Sequence, residues 1–117
     1  MSSYILTDET AIDVLIFWIE STDGSISFTE EDAVKRVLDN MNYDLTTYRK
    51  TLSQIAAMST EHMKQLVEEA IVYVRSNFSD DGKRLTFSLL DTIATCEGSV
   101  SAEQQKRVDR LKKEFGL

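Results

Sequence analysis

The chain has 117 residues, of which 42% are hydrophobic and none is proline, and this predicts a single globular domain spanning 1–117 with its own core. A net charge of −7 argues against a nucleic-acid or anionic-membrane surface and favours a cation or a basic protein partner. The single cysteine excludes an internal disulfide framework, and neither a signal-peptide pattern nor a bilayer-length apolar run is evident, so we expect a cytoplasmic protein.

A first helix is predicted from Thr7 or Asp8 to about Thr22. Its apolar face is formed by residues at helical spacing: Ile12, Leu15, Ile16 and Ile19. Further large apolar side chains lie off that face: Val14, Phe17 and Trp18. A helix that is apolar on most sides is usually the central one, so we expect these residues to be buried. The alternative is that Phe17 and Trp18 form an exposed patch that binds a partner.

Apolar spacing also predicts the second and third helices. The second runs from about Phe28 to Asn40, and its inward residues are Ala33, Val34, Val37, Leu38 and Met41. A break with a capping Asp44 separates it from the third, whose apolar residues are Leu45, Tyr48, Leu52, Ile55 and Ala56.

The second half of the chain predicts three more helices. Ser59 is expected to cap the fourth, whose apolar stripe is Met63, Val67, Ala70, Ile71, Val74 and Phe78. The polar run 79–82 interrupts the pattern before a fifth helix, which runs to Cys96. The sixth covers 102–115 and ends at Gly116. We therefore expect an all-α, compact bundle of about six helices joined by short loops.

One short segment occurs twice, as DGSIS at 23–27 and as EGSVS at 97–101. The apolar flanks match as well: Leu15, Ile16, Ile19, Val34, Val37 and Met41 correspond to Leu89, Leu90, Ile93, Val108, Leu111 and Phe115. In each copy Gly follows a helical pattern, and the segment ends in a serine that opens a capping box. Two pseudo-symmetric helix–corner–helix repeats are predicted, and a pseudo-twofold arrangement would bring both corners to related positions. Each corner either only connects two helices or also binds a ligand through its carboxylate.

The residue types argue against several kinds of site. A structural zinc ion needs four ligands, and the only strong soft ligands are His62, expected at the surface, and Cys96, expected as a small buried filler or alternatively a reactive thiol. In an EF-hand alignment on the two corner glycines, Ile19 and Ile93 take the position that requires a carboxylate, so a calcium loop of that type is disfavoured. With no nucleophile–base pair or phosphate loop in the sequence, we do not expect an enzyme.

The last helix is rich in basic residues: Lys106, Arg107, Arg110, Lys112 and Lys113. They alternate with acidic residues, which predicts a solvated face that complements the negative end of the helix dipole.

Together, the two corners and the closing segment LLDTIATCEGSVSAEQQKRVDRLKKEFGL at 89–117 resemble the TerB-like domain of tellurite-resistance proteins. A related domain is found at the N-terminus of a membrane-anchored J-domain co-chaperone. The resemblance covers nearly the whole chain. It implies an all-helical, non-enzymatic domain whose genes lie beside stress, metal-resistance and phage-defence functions.

The resemblance also implies a divalent metal site at the acidic corners. The corresponding residues here are Asp23 and Glu97, followed by Glu30 or Glu31 and by Glu103. Their oxygen ligands suit Ca²⁺, Mg²⁺ or Mn²⁺. We therefore expect a small cytoplasmic accessory protein that binds a divalent cation, a protein partner or both. The alternative is a purely structural protein–protein interaction module with no metal site.

Overall fold

The computed structural model describes residues 6–20, 35–36, 38–39, 45–95 and 101–117. Five helices have defined bounds: α1 (Asp8–Glu20), α2 (Leu45–Ala56), α3 (Thr60–Asn77), α4 (Asp80–Thr95) and α5 (Ala102–Glu114). Residues 35–36 and 38–39 are helical too, and these ranges contain no strand. The all-α prediction is confirmed for them, and the radius of gyration of 13.1 Å is that of a compact domain. Most of the predicted second helix lies outside the described residues.

Thr7, one of the two predicted caps, begins α1. Its hydroxyl oxygen accepts a hydrogen bond from the amide of Thr10 at 3.2 Å, and the amide of Thr7 donates to the hydroxyl of Thr10 at 2.7 Å. This reciprocal pair satisfies amides that the first turn of a helix cannot bond internally. Asp8 and Glu9 follow in the first turn, where negative charge is favourable.

The prediction that the first helix is central is confirmed, because α1 contacts each of the other four helices. Its fully buried apolar residues are Ala11, Val14, Leu15, Ile16 and Ile19. Phe17 and Trp18 are partly buried and pack against this core. Neither of the two expectations for Phe17 and Trp18 is met in full, since both side chains join the core and keep some exposure.

The helices α3 and α5 begin at their predicted caps, and α5 ends at the predicted glycine. The hydroxyl of Ser59 accepts from the amide of His62 at 3.2 Å, and Ser101 with Gln104 forms the expected capping box. After α5, Gly116 adopts a φ of 74°, and the amide of Leu117 donates to the carbonyl of Lys112 at 2.9 Å. This is a Schellman-type ending. It requires a residue in the left-handed conformation, which glycine adopts at little cost.

The break between α3 and α4 is shorter than the polar run 79–82 indicates. Ser79 caps α4 by accepting from the amide of Gly82 at 3.1 Å. Asp80, Asp81 and Gly82 therefore form the first turn of α4 and not a loop. Acidic residues are stabilising in the first turn, because the N-terminus of a helix carries a partial positive charge.

The predicted core positions are largely buried. The repeat positions that the structure describes are all inside: Leu15, Ile16, Ile19, Leu89, Leu90, Ile93, Val108, Leu111 and Phe115. On α2 the prediction for Ala56 is wrong, because it is exposed at the last residue of the helix. Thr51, which was not among the predicted inward residues, is buried. Its hydroxyl donates to the carbonyl of Thr47 at 2.9 Å.

Candidate functional site

Most of the predicted metal site lies outside the described residues. This applies to Asp23, Glu30 and Glu31 of the first corner and to Glu97 of the second. Cys96, considered as a filler or a reactive thiol, also lies outside them. The metal site therefore stays a prediction, and the structure informs it through the helices that flank the two corners.

Glu103 is the candidate ligand that the structure describes. It is exposed in the first turn of α5, and its Oε1 lies 3.7 Å from Nη2 of Arg107, one helical turn later. The Arg107 side chain is mostly buried, but that of Glu103 is half exposed, so the carboxylate stays accessible to solvent. Within the described ranges, no three His, Cys, Asp or Glu side chains are grouped so that they could hold a metal ion.

Arg107 links α5 to the end of α1. Its Nη1 donates to the backbone carbonyl of Trp18, which lies in the last turn of α1. The carbonyls of a last turn have no partner within their own helix, and no basic residue of α1 occupies that turn. A side chain from α5 therefore supplies both the hydrogen-bond donor and the positive charge that the end of α1 needs.

The indole ring of Trp18 packs against two guanidinium groups. The guanidinium carbons of Arg107 and Arg110 lie 5.3 and 5.6 Å from its ring centroid, within the range of cation–π contacts. Burial lowers the pKa of Arg107, while the charge of Glu103 acts in the opposite direction. The solvated face predicted for the last helix is therefore wrong for Arg107, whose side chain is 18% exposed, whereas Arg110 keeps 38% exposure and Lys106, Lys112 and Lys113 are exposed.

Arg110 extends the contact from α1 to α3. Its Nη2 donates to Oε1 of Glu68 on α3 and lies 3.6 Å from Oε2 of Glu114. The hydrogen bond to Glu68 raises the pKa of Arg110, and the same bond lowers the pKa of Glu68. Arg75 of α3 reaches Glu114 at 3.3 Å, so α5 is bound to α3 at two points.

These contacts relate the described flanks of the two corners. Trp18 lies two residues before the end of α1, about 3 Å of helix rise from Glu20, after which the first corner follows. Arg107 lies six residues after Ser101, about 9 Å of rise from the point where the second corner ends. The contact between Arg107 and Trp18 therefore links α1, which precedes the first corner in the chain, to α5, which follows the second.

Two buried carboxylates of α1 were not predicted from the sequence. Asp13 is 0% exposed and Glu20 is 3% exposed. A buried charge must be compensated by hydrogen bonds or by opposite charge, and Glu20 stands at the helix end where negative charge is unfavourable. The available signal was their spacing of seven residues, which puts both on one face of a helix that is otherwise apolar on most sides.

His62 has the surface position predicted for it. Its side chain is exposed in the first turn of α3, and only its backbone amide takes part in the cap at Ser59.

Comparisons with known proteins add no family assignment. Neither protein-family models, nor curated proteins, nor solved structures gave a match to the chain. None of the described helices combines the length and the apolar character needed to cross a membrane. The resemblance to TerB-like domains therefore stays a prediction that rests on the two corners and the closing Phe-Gly-Leu at 115–117.

Proposed function

We propose that the chain is a small, non-enzymatic accessory domain of the TerB-like type, with about six helices in two repeats. It binds a divalent cation at its acidic corners, a protein partner or both, in a role related to stress or metal resistance. In this proposal Asp23 and Glu97 are the principal ligands, and Glu30, Glu31 and Glu103 are further candidates.

The contact between Arg107 and Trp18 is the observation that supports this proposal most directly. It links α1, which precedes the first corner, to α5, which follows the second, and the proposal takes carboxylates from both corners as ligands of one cation. A site that drew on both corners would satisfy the preference of Ca²⁺ and Mn²⁺ for several oxygen ligands, which neither corner offers alone.

The pattern of burial supports the two repeats. Leu15, Ile16 and Ile19 in α1 and their counterparts in α4 are all buried. Both helices contact each other, and both end just before a corner. Corresponding positions of the two proposed repeats are thus buried alike, which is what the proposal expects.

A thermal titration tests the cation site. Ca²⁺, Mg²⁺ and Mn²⁺ are added to the metal-stripped chain, and the melting temperature is followed. A cation at 100 times its dissociation constant should add about 2.7 kcal/mol to the free energy of unfolding. Asp23→Asn and Glu97→Gln should reduce this gain, whereas Asp91→Asn, an exposed carboxylate on α4, should not. If millimolar cation leaves the wild-type melting temperature unchanged, the cation site is excluded.

One observation favours the second candidate, a structural interaction module without a metal. The described candidate ligand, Glu103, already contacts Arg107 within its own helix. In that case the corner carboxylates bond amides of their own turns, as Asp often does. Amide resonances of the corners that do not respond to cation, in a chain that still binds a partner, would favour this candidate.

A further inference from the structure

We draw no further inference here: the strongest candidate, the side-chain cluster of two buried carboxylates on α1, Asp13 and Glu20, is an acidic pair for which no second observation at the described residues indicates a ligand.

Discussion

Arg107 of α5 donates a hydrogen bond to the backbone carbonyl of Trp18, and its guanidinium carbon lies 5.3 Å from the centroid of the Trp18 ring. One side chain thus completes the end of α1 and covers the indole ring that α1 presents beside it. The two residues are 89 positions apart in the chain, so this contact depends on the packing of α5 against α1.

Arg107→Ala should lower the free energy of unfolding by about 2 kcal/mol, because it removes a charged hydrogen bond and a cation–π contact. Arg107→Lys keeps the charge and should cost less. Arg84→Ala is the control, since Arg84 pairs with Asp81 within α4 in an exposed setting, where a much smaller effect is expected. Urea denaturation measures all three. Equal effects of Arg107→Ala and Arg84→Ala would contradict the assigned role of Arg107.

A double-mutant cycle isolates the contact between the guanidinium and the indole. Trp18→Ala removes the ring and leaves the backbone carbonyl that Arg107 bonds. The coupling energy between Trp18→Ala and Arg107→Ala should therefore be about 1 kcal/mol, the size of a partly desolvated cation–π contact. Urea denaturation of the wild type, both single variants and the double variant supplies the cycle. Strictly additive effects would show that the ring and the guanidinium do not interact.

Ser101→Ala should lower the free energy of unfolding by about 1 kcal/mol, because the hydroxyl of Ser101 bonds the amide of Gln104 at 3.0 Å and opens α5. Ser53→Ala is the control, because Ser53 is an exposed residue inside α2, where alanine is the better helix former. Thermal unfolding followed by circular dichroism compares the two. A stabilised Ser101→Ala variant would argue against the cap.

The ion pair between Glu68 and Arg110 should make stability depend on pH. The hydrogen bond from Arg110 holds the pKa of Glu68 below its ordinary value of 4.5. A depressed pKa means that the contribution is complete above the ordinary value and is lost as pH falls through the lower, folded-state value. The pair is solvent-exposed, so we expect less than about 1 kcal/mol.

The comparison of wild type with Glu68→Gln measures this contribution by urea denaturation at a series of pH values. The difference in unfolding free energy should be constant near neutral pH and should decrease below about pH 4.5. Glu69→Gln is the matched control on the next residue. A difference for Glu68→Gln that grows as pH falls would have the wrong sign and would exclude the pair as its source.

Helix ends were predictable because their signals are local. Ser59 and Ser101 cap helices through amides three residues away, and Gly116 ends α5 through its own backbone angle. Such interactions depend on a few neighbouring residues, so sequence alone reveals them. The spacing of apolar residues likewise identified α1 as the central helix, since a helix that is apolar on most sides needs neighbours all round.

The residues of the candidate site were harder to predict from the sequence than the helix ends. Its ligands Asp23 and Glu97 were chosen from the repeat and the resemblance, and they stay predictions. Glu20 was not chosen, although it is buried beside the first corner, because the pattern of one helix does not reveal which polar side chains its neighbours enclose. The same holds for Ala56 and Thr51, which lie at the border of the apolar stripe of α2. The packing of the neighbouring helices determines which of these small residues is buried.

The arginines of α5 show most clearly which features the sequence predicts and which depend on the tertiary structure. Composition and alternating charge identify a polar helix. On that basis all of its basic residues are expected to lie in solvent. Lys106, Lys112 and Lys113 do lie in solvent, while Arg107 and Arg110 contact Trp18. Local sequence therefore decides where this chain is helical and how its helices end, because those interactions span three or four residues. Packing alone decides which polar side chains contact other helices, because their partners are distant in the chain.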